Sequence, residues 1–386
     1  MQTFNANAYS FGGSDTLHNI HVDVARQEVS NQNGVSYRHR QGIEEKANSH
    51  KAFPSAISRL PTEILTQIFL YCIPEDGDLT PTRDLAPMLL TTVCRRWREV
   101  AVDIPSLWRR LRLEVGHGDW KQRAFCYDTY LKRSRGRQLS LTLECHADDS
   151  TELRSLLHPY VDQISSLSVG LFYGTGSCPV VVADFGGLEE LVMYTKGSDP
   201  VLALAHSITH SITQLPPSMH TLKITDLWLD LKILSGFNPL AWASLTSLEI
   251  VVEALDCFPH LLRMCPNLTS LTIIGIFMSA IETSDTTSHP KLQSLRISGD
   301  LSLDWIGDFG LFDIITLPSL RAVEVRNVGT WPHEGFKAFL TRSGCPIESL
   351  IFGGGVMITD RQLEEYVTIF PSLAVVTDPM RSSFYF

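Results

Sequence analysis

The chain has 386 residues, 44% hydrophobic and 19% charged, with a net charge of -10. At about 150 residues per domain this allows two or three domains with a sizeable core, and it excludes a chain disordered throughout, a collagen and a small disulfide scaffold. The longest apolar stretch, Leu271 to Ile281, is broken by Thr272, Gly275 and Ser279 and falls short of the roughly 20 residues that span a bilayer, so no membrane association is expected.

The charge is uneven: 0 over residues 1 to 58, -3 over 59 to 94, +7 over 95 to 137 and -14 over 138 to 386. No terminal charge run accounts for it. The first thirty residues hold no continuous apolar segment of the kind a secretory signal needs. The eight cysteines, at 72, 94, 126, 145, 178, 257, 265 and 345, never form a CxxC pair. The expectation is buried thiols in a reducing compartment, cytoplasmic and/or nuclear.

Residues 1 to 56 are rich in Asn, Gln, Ser, Gly and His without sustained periodicity, which predicts a flexible N-terminal arm. The pattern changes from Ala56 onward. Pro61 suits the first turn of a helix and Glu63 its positive end. Ile64, Leu65, Ile68 and Phe69 follow at i, i+1, i+4 and i+5, one apolar stripe, and Pro74 ends the helix. After a polar connection, Pro87 to Ala101 repeats the design: Leu89, Leu90, Val93, Trp97, Val100 and Ala101 share a face opposite Arg95, Arg96, Arg98 and Glu99. A third short element begins at Pro105-Ser106-Leu107-Trp108. Three short helices in about fifty residues have too little interior to cover these groups, so some of that surface awaits a partner.

Leu60-Pro61-Thr62-Glu63-Ile64-Leu65, Ile68-Phe69, Val93-Cys94-Arg95-Arg96-Trp97-Arg98 and Pro105-Ser106-Leu107-Trp108 together closely resemble the F-box, in particular that of the F-box proteins of mushroom-forming fungi. The resemblance implies an F-box over residues 57–112 that docks on the Skp-type adaptor of cullin-RING ubiquitin ligases. It also implies adaptor contacts at Leu60, Pro61, Ile64, Leu65, Ile68, Phe69, Val93, Cys94 and Trp97. The connection from Glu75 to Ala86 is longer than the compact family pattern.

Residues 113–137 read as a basic linker helix region. From Arg95 to Arg137 there are twelve Lys or Arg against five acids, with Trp97, Trp108 and Trp120 among them, a composition that raises nucleic-acid binding. Much of the charge falls on the outer face of an amphipathic helix or in the linker, so no nucleic acid is expected as a partner.

From Gln138 onward short alternating runs predict strands. They share two apolar residues three apart and a third two later: Ile164/Leu167/Val169, Leu188/Leu191/Met193, Met219/Leu222/Ile224, Leu245/Leu248/Ile250, Leu268/Leu271/Ile273, Leu292/Leu295/Ile297, Leu320/Val323/Val325, Ile347/Leu350/Phe352 and Leu373/Val376, the last ending in Asp378. From Met219 the starts are 26, 23, 24, 28, 27 and 26 residues apart, close to the 20 to 29 of leucine-rich repeats. Pro217, Pro266, Pro290, Pro318 and Pro371 each stand two residues before a start.

Residues 138–386 thus resemble the irregular leucine-rich-repeat domain that often follows an F-box. The turn asparagine is missing from most copies, so no asparagine ladder is assumed. The expected fold class is α/β: an N-terminal three-helix F-box, then an irregular leucine-rich-repeat solenoid with a strand plus helix or loop per repeat. Residues between the apolar strand positions would face its concave side, which nominates Lys223, Glu249, Thr272, Arg296, Glu324 and Arg326 for target binding; their mixed charge suits a protein or peptide.

No Gly-rich phosphate loop, HExxH or GxSxG occurs, and Gly353-Gly354-Gly355 reads as a turn after a strand. His206 and His210 are four apart without a nearby third ligand, and Asn267-Leu268-Thr269 reads as a chance glycosylation match. No cofactor is expected, and no residue is assigned a catalytic or metal-binding role. The reading is a non-enzymatic substrate receptor that presents an unknown protein target to a cullin-RING ligase; the alternative is an interaction scaffold that uses its repeats without ubiquitination.

Overall fold

Helix α1 forms over Thr62–Tyr71 with Glu63 in its first turn, and Leu65 N–H closes that turn on the Pro61 carbonyl at 3.1 Å. It lies in a computed structural model that describes residues 59–74, 79–116, 119–146, 151–172, 180–196, 208–254, 256–275, 286–299 and 310–377. The arm read over residues 1–56 falls outside them. The chain divides into two units, Met1–Leu65 and Thr66–Phe386; the features that follow belong to the second unless stated.

The stretch Pro87 to Ala101 is two helices, not one. Helix α2 covers Leu90–Val93 and α3 Arg95–Asp103, with Cys94 extended between them (φ -158°, ψ 171°). The Cys94 Sγ accepts the Trp97 N–H at 3.4 Å, so the thiol takes the place usually filled by Ser, Thr, Asp or Asn at a helix start. The break re-aims the predicted stripe. Leu90, Val100 and Ala101 are buried, while Leu89 and Val93 stay exposed.

A 3-10 turn, Pro105–Trp108, runs directly into strand β1, Arg110–Val115. The boundary drawn at residue 112 therefore falls inside a strand. Residues 113–137, read as a basic linker helix region, hold the end of that strand and then helix α4, Trp120–Arg133, whose N-terminus is capped by Asp119. Trp108 binds these pieces together. It is fully buried, its indole N–H donates to the Ala101 carbonyl at 2.9 Å, its ring meets Tyr130 of α4 edge-on at 4.8 Å, and the Arg133 guanidinium lies 4.4 Å above it. Tyr130 in turn donates to the Arg110 carbonyl at 2.9 Å.

Strand β1 opens an eleven-stranded parallel sheet whose strands lie side by side in chain order. They are β2 (Leu139–Cys145), β3 (Ile164–Phe172), β4 (Glu190–Lys196), β5 (Thr221–Leu229), β6 (Ser247–Val252), β7 (Ser270–Gly275), β8 (Ser294–Gly299), β9 (Ala322–Arg326), β10 (Ser349–Phe352) and β11 (Ala374–Thr377). The starts of β5 to β8 are hydrogen-bonded alike. Glu189 O accepts from His220 and Thr221, His220 O from Thr246 and Ser247, Thr246 O from Thr269 and Ser270, and Thr269 O from Gln293 and Ser294, all at 2.8–3.0 Å. Paired amides on one carbonyl satisfy backbone donors that the ladder proper does not reach.

The apolar triplets from Ile164 to Phe352 are all buried, at 3% exposure or less. Each complete side chain so removed from water contributes about 1.5–3 kcal/mol. The final copy differs from its predicted phase: Leu350 pairs with Val375 and Ile351 with Val376, so Val375 takes the inner row and Val376 lies exposed. One residue fewer separates Leu373 from its strand than separates Leu268 from Leu271.

Where a polar side chain enters this core it is satisfied. His289 is buried; its Nδ1 accepts the Leu292 N–H at 3.1 Å, and its Nε2 donates to the Cys265 carbonyl at 3.0 Å. Burial, the largest cause, pushes its pKa below the ordinary value.

Candidate interaction surfaces

Two surfaces carry the residues singled out by sequence. On α1, the spacing of four that joins Ile64 to Ile68 sets both on one side of the helix, and both are exposed, as is Pro61; Leu60 is half-buried. Leu65 and Phe69 are at 0% exposure. In the chain alone these two side chains are covered, whereas Ile64 and Ile68 are not. Phe69 packs on the Trp97 ring at 4.9 Å, leaving Trp97 half-buried, while Val93 is 54% exposed and Cys94 is exposed beside it. Arg98 Nε donates to the Thr91 carbonyl at 2.8 Å and braces α3 on α2. Sequence reasoning did not nominate Leu70, Tyr71, Leu85 or Leu89 as contacts, yet all are exposed, Tyr71 at 86%.

The second surface is the sheet face opposite the apolar triplets. Parallel sheets are commonly covered on both faces; here the described residues of this row are half-buried or exposed rather than buried. Lys223, Glu249, Thr272, Arg296 and Glu324 stand in one row on neighbouring strands, with Arg326 two residues beyond Glu324. They are half-buried except for Arg296, which is exposed. Lys223 Nζ lies 3.9 Å from Glu249, and Glu324 is shared by Arg296 and Arg326, both at 2.5 Å. Near the other end, buried Glu144 accepts from Arg112 and, at 3.3 Å, from Lys196.

Aromatic groups flank that second cluster. His146 meets Phe172 at 3.9 Å, and Lys196 Nζ lies 5.3 Å from Phe172 and 5.6 Å from Tyr194. Gly170 has a specific role beneath them: a Cβ there would stand 2.6 Å from the Tyr194 ring. Gly353 gives Arg326 the same room.

Burial raises the pKa of Glu324, and the hydrogen bond from Arg326 with the charge of Arg296 outweighs it, so the net shift is downward. Glu144 behaves likewise: burial raises it, and Arg112 and Lys196 bring it below the ordinary value. A carboxylate with a depressed folded pKa contributes stability that is fully present above its unfolded value of about 4.3 and lost as pH falls through the folded value. Glu324→Gln is therefore expected to lower stability by about 1–2 kcal/mol at pH 7. The gap from wild type should begin to narrow as pH falls below about 4.3 and close as pH falls through the lowered folded value. Urea midpoints at pH 7 and pH 3 check this; a gap unchanged at pH 3 would contradict it.

Other sequence features resolve plainly. His206 lies outside the described residues, and His210 is exposed. Asn267 precedes β7 rather than lying in it; its side-chain nitrogen donates to the Ala243 carbonyl at 2.7 Å and its oxygen accepts from Lys291 at 2.6 Å. Gly353 to Gly355 make the turn after β10, with the Gly354 and Gly355 carbonyls accepting from Asn327 and Gly329 at 2.8 Å. In the basic stretch Arg95 pairs with Glu99, Arg123 with Glu114, Lys132 with Asp128 and Arg135 with Asp103, at 2.6–2.9 Å.

Compared with known proteins, residues 57–114 match the F-box-like family. No curated protein matches the chain.

Proposed function

We propose that this protein is an F-box substrate receptor: its N-terminal helices dock on a Skp-type adaptor, and its sheet domain presents a protein target to a cullin-RING ubiquitin ligase for degradation. F-box domains generally mediate Skp adaptor binding in ubiquitin ligase complexes, and the F-box-like match over residues 57–114 is the observation that carries the reading. Ile68 and Val93 of the second unit are exposed, as are Pro61 and Ile64 of the first, and in this reading these residues, with Cys94, Trp97 and Leu60, meet the adaptor. The regular parallel strands with buried triplets favour a leucine-rich-repeat solenoid of the kind found in mushroom-type F-box proteins. Its open face would hold the target through Lys223, Glu249, Thr272, Arg296, Glu324 and Arg326.

In this reading the chain makes and breaks no bonds; its contribution is proximity supplied to the other ligase components. The pairing of its basic residues supports a protein rather than a nucleic acid as partner, in the cytoplasm or nucleus. Co-expression of the full chain with a Skp-type adaptor, followed by size-exclusion chromatography, tests the assignment. A one-to-one complex is expected for wild type and none for the Leu60→Ala/Pro61→Ala variant. A folded wild-type chain that never binds would overturn it. Leu65→Asp is unsuitable here, because a charge at a fully buried position disrupts folding whatever the function.

A further inference from the structure

We propose that His333, Glu334 and Glu365 form a binding site for a divalent first-row transition ion, with Zn2+ the best fit. His333 and Glu334 open the helix His333–Ser343, and Glu365 lies on the helix Asp360–Ile369. One donor atom from each lies within 4.8 Å of the others. His333 Nε2 is 3.0 Å from Glu365 Oε2 and 3.7 Å from Glu334 Oε1. In a tetrahedral zinc site with bonds of about 2.0–2.1 Å, ligand atoms stand about 3.3 Å apart, and those two distances bracket that value. One imidazole with two carboxylates is a donor set that suits Zn2+ and its neighbours, and with three protein ligands a fourth position is left for water.

The support behind the imidazole is of the kind metal-binding histidines carry. His333 is buried, and its Nδ1 is 2.9 Å from the Tyr366 hydroxyl, which accepts the Trp331 indole N–H at 2.9 Å. Two arrangements of this network are open. With Tyr366 donating to Nδ1, the Nε2–H donates to Glu365. With the imidazole proton moved to Nδ1, Tyr366 accepts it and turns its own hydrogen to the His333 carbonyl, 3.5 Å away; Nε2 then offers its lone pair to a metal. No proton is gained or lost.

The two carboxylates already converge on a cation. Lys337 Nζ lies 2.9 Å from Glu334 and 3.1 Å from Glu365. A divalent ion would take over that point and release the lysine to solvent. The gain would fall on the last helix: Tyr366 is the one buried residue of Asp360–Ile369, so polar contacts hold much of it to its neighbour, and a metal bridge would replace them with coordinate bonds.

Zn2+ titration of the full chain by calorimetry tests this, with the exposed thiols Cys72, Cys94 and Cys126 alkylated beforehand. One site is expected in wild type, weakened roughly tenfold or more in Glu334→Gln, a variant at an exposed position that leaves the fold intact. Lys337→Met should unfold at lower temperature in EDTA and recover with Zn2+. Identical isotherms for wild type and Glu334→Gln would overturn the proposal. So would binding by Lys337→Met alone, which would make the lysine the resident cation.

Discussion

Replacing Val93 or Ile68 by Asp is expected to abolish Skp-type adaptor binding while leaving the fold intact. Val93 is 54% and Ile68 38% exposed, so neither substitution inserts a charge into the core. In a complex each would lie in a desolvated apolar contact, where an unpaired carboxylate carries the penalty of a lost anchor and of a buried charge. A loss of about a hundredfold in affinity, near 2.7 kcal/mol, is the expected minimum. Calorimetric titration of adaptor into each variant measures it, with circular dichroism showing an unchanged melt. Phe69→Ala is the contrasting control: Phe69 is fully buried against Trp97, so this variant should lose about 3–5 kcal/mol of stability and bind less because less of it is folded. Wild-type affinity in both Asp variants would remove the helical surface from the adaptor contact.

Trp108→Ala is expected to destabilise the protein by about 3–5 kcal/mol, a large fraction of a typical domain's 5–15 kcal/mol. The substitution empties a fully buried site, removes the edge-on contact with Tyr130, uncovers Arg133 and deletes the donor to the Ala101 carbonyl. Trp108→Phe keeps an aromatic ring and loses the N–H, for about 1 kcal/mol from the hydrogen bond. Urea unfolding followed by circular dichroism separates the two; equal losses would mean that the hydrogen bond, not the packing, holds this junction.

Features set by local spacing were legible from the sequence. Leu271 and Ile273 both reached the core, because alternation along a strand fixes which side chains face inward. The same alternation placed Lys223, Glu249, Thr272, Arg296 and Glu324 in one row. Periodicity was blind where a break leaves the stripe in phase. Leu90 and Val100 lie on either side of an extended Cys94, and a thiol is not among the usual capping groups. It was also blind to how a stripe divides: the i, i+1, i+4, i+5 pattern gave Ile64, Leu65, Ile68 and Phe69 one face, whereas Leu65 and Phe69 point inward and the other two outward. Strand β1 was obscured by its charges. Arg-Leu-Arg-Leu-Glu-Val alternates with period two, but the boundary drawn at residue 112 divided it between the F-box and the basic linker helix region. The cluster at His333 depends on Glu365, 32 residues away, a separation that only the packing of two helices closes.

Strand β1 ends the F-box-like match at residue 114 and begins the sheet; Leu79, from the connection after α1, is hydrogen-bonded to it through the Arg112 amide at 3.0 Å. A strand shared in this way has no joint to bend at. In the role proposed above, cargo held on the sheet would move with helices α2 and α3, so the search for an acceptor lysine would fall to the cargo's own mobility or to the rest of the ligase. An inserted glycine-serine segment after Val115 would convert that junction into a tether and spread the pattern of modified lysines.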